Sequence, residues 1–158
     1  MSILFTGREM LETAIEIERN GFSFYSELAR AGKARSTFEH LAGQEKRHES
    51  LFQGMLDSLG QAPAPESYNG ELALYIKTLA SGRVFKSPQE AREMAQKLSP
   101  GEAVRTAIGI EKDSILFYGE MRGLVRSEDR SVVDRIMDEE RGHVLQLSEF
   151  LSQMGGTN

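Results

Sequence analysis

Four stretches of the chain space their apolar side chains three and four residues apart for about five turns each, a rhythm that admits long amphipathic helices and little else. The first carries Leu11, Ile15, Glu18, Phe22, Tyr25 and Leu28 before Gly32, and the second Leu41, Glu45, His48, Phe52, Met55 and Leu59 before Gly60 and Pro63. The third carries Val104, Ile108, Glu111, Ile115, Tyr118 and Val125. The fourth runs through Val133, Ile136, Met137, Glu140, His143, Val144, Leu147 and Leu151 to Gly155-Gly156. Capping boxes are expected at Thr6–Glu9 and Ser36–Glu39, and Ser99-Pro100-Gly101-Glu102 reads as a further helix start.

Residues 60–100 hold all four prolines and the turn-like Asn69-Gly70, so they form a connection. Two short helices are expected inside it, at Glu71–Ala80 and, behind Ser87 as N-cap, at Pro88–Leu98. Residues 126–131 read as a polar loop and 155–158 as a disordered tail, and no period-two strand is expected. The predicted fold is all-α: a four-helix bundle with one long crossover between the second and third helices, in a single domain spanning 1–158.

The helices repeat in pairs. Ala14-Ile15-Glu16-Ile17-Glu18 aligns with Ala107-Ile108-Gly109-Ile110-Glu111 at an offset of 93, and Phe24-Tyr25-Ser26-Glu27-Leu28 with Phe117-Tyr118-Gly119-Glu120-Met121. Glu45-Lys46-Arg47-His48 aligns with Glu140-Arg141-Gly142-His143 at an offset of 95. Two helix pairs repeated in order predict approximate two-fold symmetry and a site on its axis built by all four helices.

Residues three apart share a helix face, so Glu45 with His48, and Glu140 with His143, can bind one ion together. Glu18 and Glu111 interrupt apolar stripes, where a carboxylate without a partner is strongly disfavoured and a cation would relieve the cost. Four glutamates balance two divalent ions, whereas crowded without metal some must take up protons. Glu-x-x-His by itself is a weak signal on glutamate-rich helices. Here, however, two of only three histidines carry it, at matching places in a repeat whose other helices each supply a glutamate. His40 reads as a surface histidine, Glu139 as a rival of Glu140 for the ligand role, and Glu27 and Glu120 as solvated. Tyr25 and Tyr118, two turns beyond Glu18 and Glu111, read as core residues or as hydrogen-bonding neighbours of the ligands.

Composition removes competing chemistries. Without cysteine there is no disulfide, thiolate zinc site, cysteine-held iron–sulfur centre or cysteine nucleophile. The net charge of −5 argues against nucleic acid as partner. Of the 24 acidic residues four belong to the candidate site, leaving 20 against 19 Lys and Arg. Ile3-Leu4-Phe5, the longest apolar run near the start, is too short for a signal peptide or a membrane span, so a soluble, cytoplasmic protein without a membrane partner is expected.

One Glu from each of two helices and a Glu-x-x-His from each of two others is the ligand pattern of ferritin-like di-iron and di-manganese carboxylate proteins. Through Ala14–Leu28, Glu45–His48, Glu111–Tyr118 and Glu140–His143 the chain resembles the rubrerythrin branch of that superfamily. The resemblance implies Glu18 and Glu111 as terminal ligands, Glu45 and Glu140 as bridges, and His48 and His143 as one nitrogen ligand to each of two irons, with manganese or zinc as substitutes. It implies a homodimer that reduces hydrogen peroxide. Two departures stand out. Rubrerythrins carry a further carboxylate at the position of Ser114, so this six-ligand set is closer to bacterioferritin's. They also carry a four-cysteine rubredoxin domain, whose electrons would here come from a separate donor such as a rubredoxin. A ferroxidase using oxygen and Fe(II) is the second expectation, and a non-enzymatic helical interaction module with a structural metal the third.

Overall fold

The computed structural model describes residues 4–32, 34–59 and 67–155. A short strand β1 (Leu4–Thr6) leads into α1 (Gly7–Arg30), which turns back into α2 (Arg35–Leu59). The crossover contributes β2 (Ser67–Asn69), α3 (Gly70–Ser81) and α4 (Pro88–Lys97). The second half is α5 (Pro100–Met121), a 3-10 turn at Ser127–Asp129, and α6 (Arg130–Gly155). The stop signals Gly60 and Pro63, and all of the expected tail except Gly155, lie outside the described residues.

Local chemistry accounts for most helix starts. Thr6 and Ser99 form complete capping boxes with Glu9 and Glu102, and the Ser87 side chain accepts from the Glu90 amide. The box expected at Ser36–Glu39 does not form. Helix α2 begins two residues earlier, at Arg35 after Ala34 at a φ of 42°, and Glu39 pairs with Arg35 at 2.8 Å across one exposed turn. Strands, which the periodicity did not predict, do occur: Leu4–Thr6 pairs antiparallel with Ser67–Asn69, so the crossover's entrance is tied to the chain's beginning. Three residues are too few to show alternation. At Gly70, the first residue of α3, φ is +64°, a turn conformation that costs glycine little.

Helix α1 packs chiefly on α2 and α5 on α6, with α4 laid against α1. Two apolar cores result. One gathers Met10, Leu11, Ile15, Phe52, Met55, Met121 and Ile136; the other gathers Phe24, Leu28, Phe38, Leu41, Val104, Ala107 and Leu147. On each bundle helix the candidate ligands fall between the two, so a polar layer crosses the middle of the bundle. Phe22 does not belong to a core. It is exposed and sits under the Lys46 ammonium, 5.7 Å from the ring centroid, while Gly21 takes the buried place. Glu27 is likewise not solvated: it is buried, accepts from Arg30, and accepts at 3.1 Å from Gln96 of α4.

Candidate metal centre

Glu18 of α1, Glu45 and His48 of α2, Glu111 of α5, and Glu140 and His143 of α6 are all at most 5% exposed. Their ligand atoms form two groups. Glu18, Glu45, His48 and Glu140 make one, and Glu45, Glu111, Glu140 and His143 the other, with the atoms of each group within 4.8 Å of one another. Glu45 and Glu140 belong to both. The six residues singled out by spacing and repetition are therefore brought together, contributed by all four long helices.

Both imidazoles turn Nδ1 inward. His48 Nδ1 lies 3.1 Å from Glu140 Oε1 and 3.6 Å from Glu18 Oε2, while His143 Nδ1 lies 2.8 Å from Glu140 Oε2 and 3.6 Å from Glu111 Oε2. The outer nitrogen of His48 meets Glu139 Oε2 at 2.7 Å, and Arg47 also pairs with that carboxylate. Glu139 is thus no rival of Glu140; it reaches across to α2 and holds the His48 ring. A carboxylate behind a metal-binding histidine is the usual way of fixing its tautomer and orientation. Sequence reasoning missed this role because the partner is on another helix. The one available signal was that Glu139 stands about 100° round the helix from Glu140, towards a neighbour.

The tyrosines cross over. Tyr25 of α1 donates to Glu111 Oε1 of α5 at 2.5 Å, and Tyr118 of α5 donates to Glu18 Oε1 of α1. Each anchors one oxygen of a carboxylate and leaves the other free. Each phenol is held in its protonated form, its pKa pushed well above the ordinary value by burial and then by the carboxylates around it. His40 is exposed, with its ring edge-on to His143 at 6.4 Å between centroids.

Glu18 Oε2, Glu45 Oε1, His48 Nδ1, Glu111 Oε2 and Glu140 Oε1 are buried without a hydrogen-bond partner. Buried polar atoms are nearly always satisfied, so five orphans from five different residues aimed into one spot fit a cation. Without metal, protons must serve instead. Burial, and then the charges of neighbouring carboxylates, push Glu45 and Glu111 well above the usual carboxylate range. Burial also raises Glu18, partly offset by the His48 ring beside it. Burial alone would raise Glu140 too, but its hydrogen bond with His143 and the neighbouring His48 ring overcome it and keep it ionised. Burial disfavours charge on both rings, yet the carboxylates outweigh it, taking His48 up to about 11 and His143 up to about 9.

One backbone position makes room for this. A Cβ on Gly21 would lie 2.5 Å from Glu45 Oε2 and 3.0 Å from its Cδ. Only glycine lets the α1 backbone approach that carboxylate. Ser114, at the matching position of the repeat, is 3% exposed and donates to the Ile110 carbonyl at 2.9 Å. Among the described residues no helix is long and apolar enough to cross a membrane.

Comparison with known proteins agrees with this arrangement. The family model for rubrerythrin matches residues 9–151. No curated protein matches. The crystal structure of a Thermotoga maritima protein assigned as a ferritin-like diiron-carboxylate protein superposes with a TM-score of 0.76 at 28% identity, covering 95% of this chain and 97% of that one.

Proposed function

Because this chain belongs to the rubrerythrin family, with the ferritin-like all-α fold, we propose that it is a non-haem di-iron oxidoreductase that reduces hydrogen peroxide with electrons from a separate donor protein. The observation that carries the reading is the pair of ligand groups sharing two glutamates. Glu18 and His48 would hold one ion, Glu111 and His143 the other, and the shared Glu45 and Glu140 would span both. A ferrous pair bound there supplies the two electrons that, with two protons, convert hydrogen peroxide into two waters.

The protein's own groups do the rest. Four glutamates offset the charge of two divalent ions, so the loaded site is close to neutral inside an apolar bundle. Tyr25 and Tyr118 hold the terminal carboxylates by one oxygen each and keep a proton beside them. Glu139 and Arg47 fix His48 from outside, and the two apolar cores keep bulk water from both ends of the polar layer.

The test is anaerobic loading with Fe(II), then separate mixing with peroxide and with oxygen, followed by absorbance. Fast oxidation by peroxide and slow oxidation by oxygen is the expected result. The reverse order would favour a ferroxidase, a reading helped by Ser114, whose small side chain adds no fifth carboxylate. Two bound metals that cycle with neither oxidant would make the site structural.

A further inference from the structure

A cavity of about 30 Å³ lies between α1, α5 and the loop after α3, lined on the two helices by Ile17, Gly21, Ile110, Ser114 and Phe117. Gly21 and Ser114 are one turn beyond Glu18 and Glu111 and occupy the same place in the repeat, at the offset of 93, so the cavity has the same relation to both halves of the centre. Gly21 joins the cavity to the centre: it lines the cavity, and the point where its Cβ would sit is 2.5 Å from Glu45 Oε2, so this one residue of α1 borders both the cavity and a carboxylate common to both ligand groups.

Resting on the peroxide reading above, we propose that this cavity is the antechamber through which the small neutral oxidant reaches the centre, and that its size selects hydrogen peroxide over alkyl hydroperoxides. One water needs about 10–15 Å³ measured in this way, so the space takes about two waters or one hydrogen peroxide molecule. A branched alkyl group does not fit. Charge weighs against an anion: the mouth carries one acid, Asp113, and one base, Arg83, and Arg83 is already paired with Glu16 at 2.8 Å, so the acids outnumber the base by one. That negative excess disfavours an anionic oxidant and leaves an uncharged solute unopposed. Ser114 has spent its hydroxyl hydrogen on Ile110, and its oxygen can still accept a hydrogen bond from a peroxide. Asn20 donates to the Phe85 carbonyl at 3.1 Å and so holds the loop that roofs the cavity.

The experiment compares wild type, Ser114→Leu and Ile110→Ala, each loaded with two Fe(II) per chain, in their oxidation by hydrogen peroxide and by tert-butyl hydroperoxide. Wild type should prefer hydrogen peroxide by about tenfold or more, the scale on which a tight pocket rejects added methyl groups. Ile110→Ala should narrow that ratio by about tenfold, and Ser114→Leu should slow hydrogen peroxide by at least as much. Xenon-pressurised crystals of the metal-free proteins give an independent readout: xenon should occupy the cavity in wild type and in Ile110→Ala and be absent from Ser114→Leu. Should Ser114→Leu fail to fold, the Ile110→Ala ratio and its xenon site decide. A wild type that oxidises with both peroxides equally fast, or a ratio unmoved in Ile110→Ala, overturns the antechamber. Two bound irons with no wild-type reaction towards either peroxide overturns the proposed function itself, whereas a fast wild-type reaction left unmoved in Ser114→Leu, with xenon gone, counts against the cavity alone.

Discussion

Replacing Gly21 by alanine puts one methyl group where the bundle has no room for it. The new Cβ would stand 2.5 Å from Glu45 Oε2, against the 3.4 Å at which ordinary contact begins, so the carboxylate must retreat by about 0.9 Å or turn away. Glu45 belongs to both ligand groups, so its displacement weakens both metal positions together. Disturbing a ligand through its support typically costs about 10–100-fold in metal affinity. At a metal concentration about 100 times the wild-type Kd, each bound ion adds about 2.7 kcal/mol of stability; with 100-fold weaker binding each keeps about 0.4 and loses about 2.3 kcal/mol. For a domain of this size that is about 5–9 °C in Tm for each ion. The metal-free protein behaves differently. An alanine inside α1 gains up to about 1 kcal/mol in helix propensity, which offsets the strain once Glu45 is free to swing. The assay is a thermal melt of Gly21→Ala with and without Mn(II) or Fe(II), beside the control Gly109→Ala, whose Cβ meets nothing within 4 Å. The expected result is a lost metal-induced shift in Gly21→Ala alone. Wild-type affinity for two metals in that variant would refute the argument that close backbone approach positions Glu45.

Three further outcomes are expected. Ligation needs neutral imidazoles, and in the metal-free site His48 keeps its proton up to about 11 and His143 up to about 9, so metal affinity should rise with pH between about pH 6 and 8, near tenfold per unit for each proton displaced. Calorimetry in buffers of different ionisation heat should show net proton release, and none released would contradict the protonated site. Glu139→Gln removes the charge behind His48 and should weaken one metal position about 10–100-fold while sparing the other, turning the metal titration biphasic; a uniform loss would argue that Glu139 acts on the whole bundle. Tyr118→Phe leaves Glu18 Oε1 buried without its donor and should cost the metal-free protein about 1–3 kcal/mol in urea unfolding, with less loss once metal is bound.

The six central residues were legible because each part of their signal lies within one helix. A carboxylate on an apolar stripe, a Glu-x-x-His spacing and a repeat at offsets of 93 and 95 need no knowledge of how the helices meet. Where the reading failed, the cause was a competing contact. Phe22 continued the stripe by spacing, yet Gly21 faces inward, and a glycine has no apolar side chain by which a periodicity would register it. The Ser36–Glu39 cap, three residues apart, gave way to an Arg35–Glu39 pair four apart on the same helix face. Glu27 looked solvated until α4 was laid over α1 and brought Gln96 to it.

The chain's own periodicity determined that there would be long helices, that they would come in two similar pairs, and that four glutamates and two histidines would stand on buried faces. Those are intrahelical facts, set by 3.6 residues per turn and by the cost of an unpaired buried charge. Only the packed bundle decided the rest: that Tyr25 serves Glu111 and Tyr118 serves Glu18, that Glu139 stands behind His48, and that a space of about 30 Å³ remains beside Gly21 and Ser114. Each of these depends on distances of a few ångströms between different helices, which spacing along a single helix does not specify.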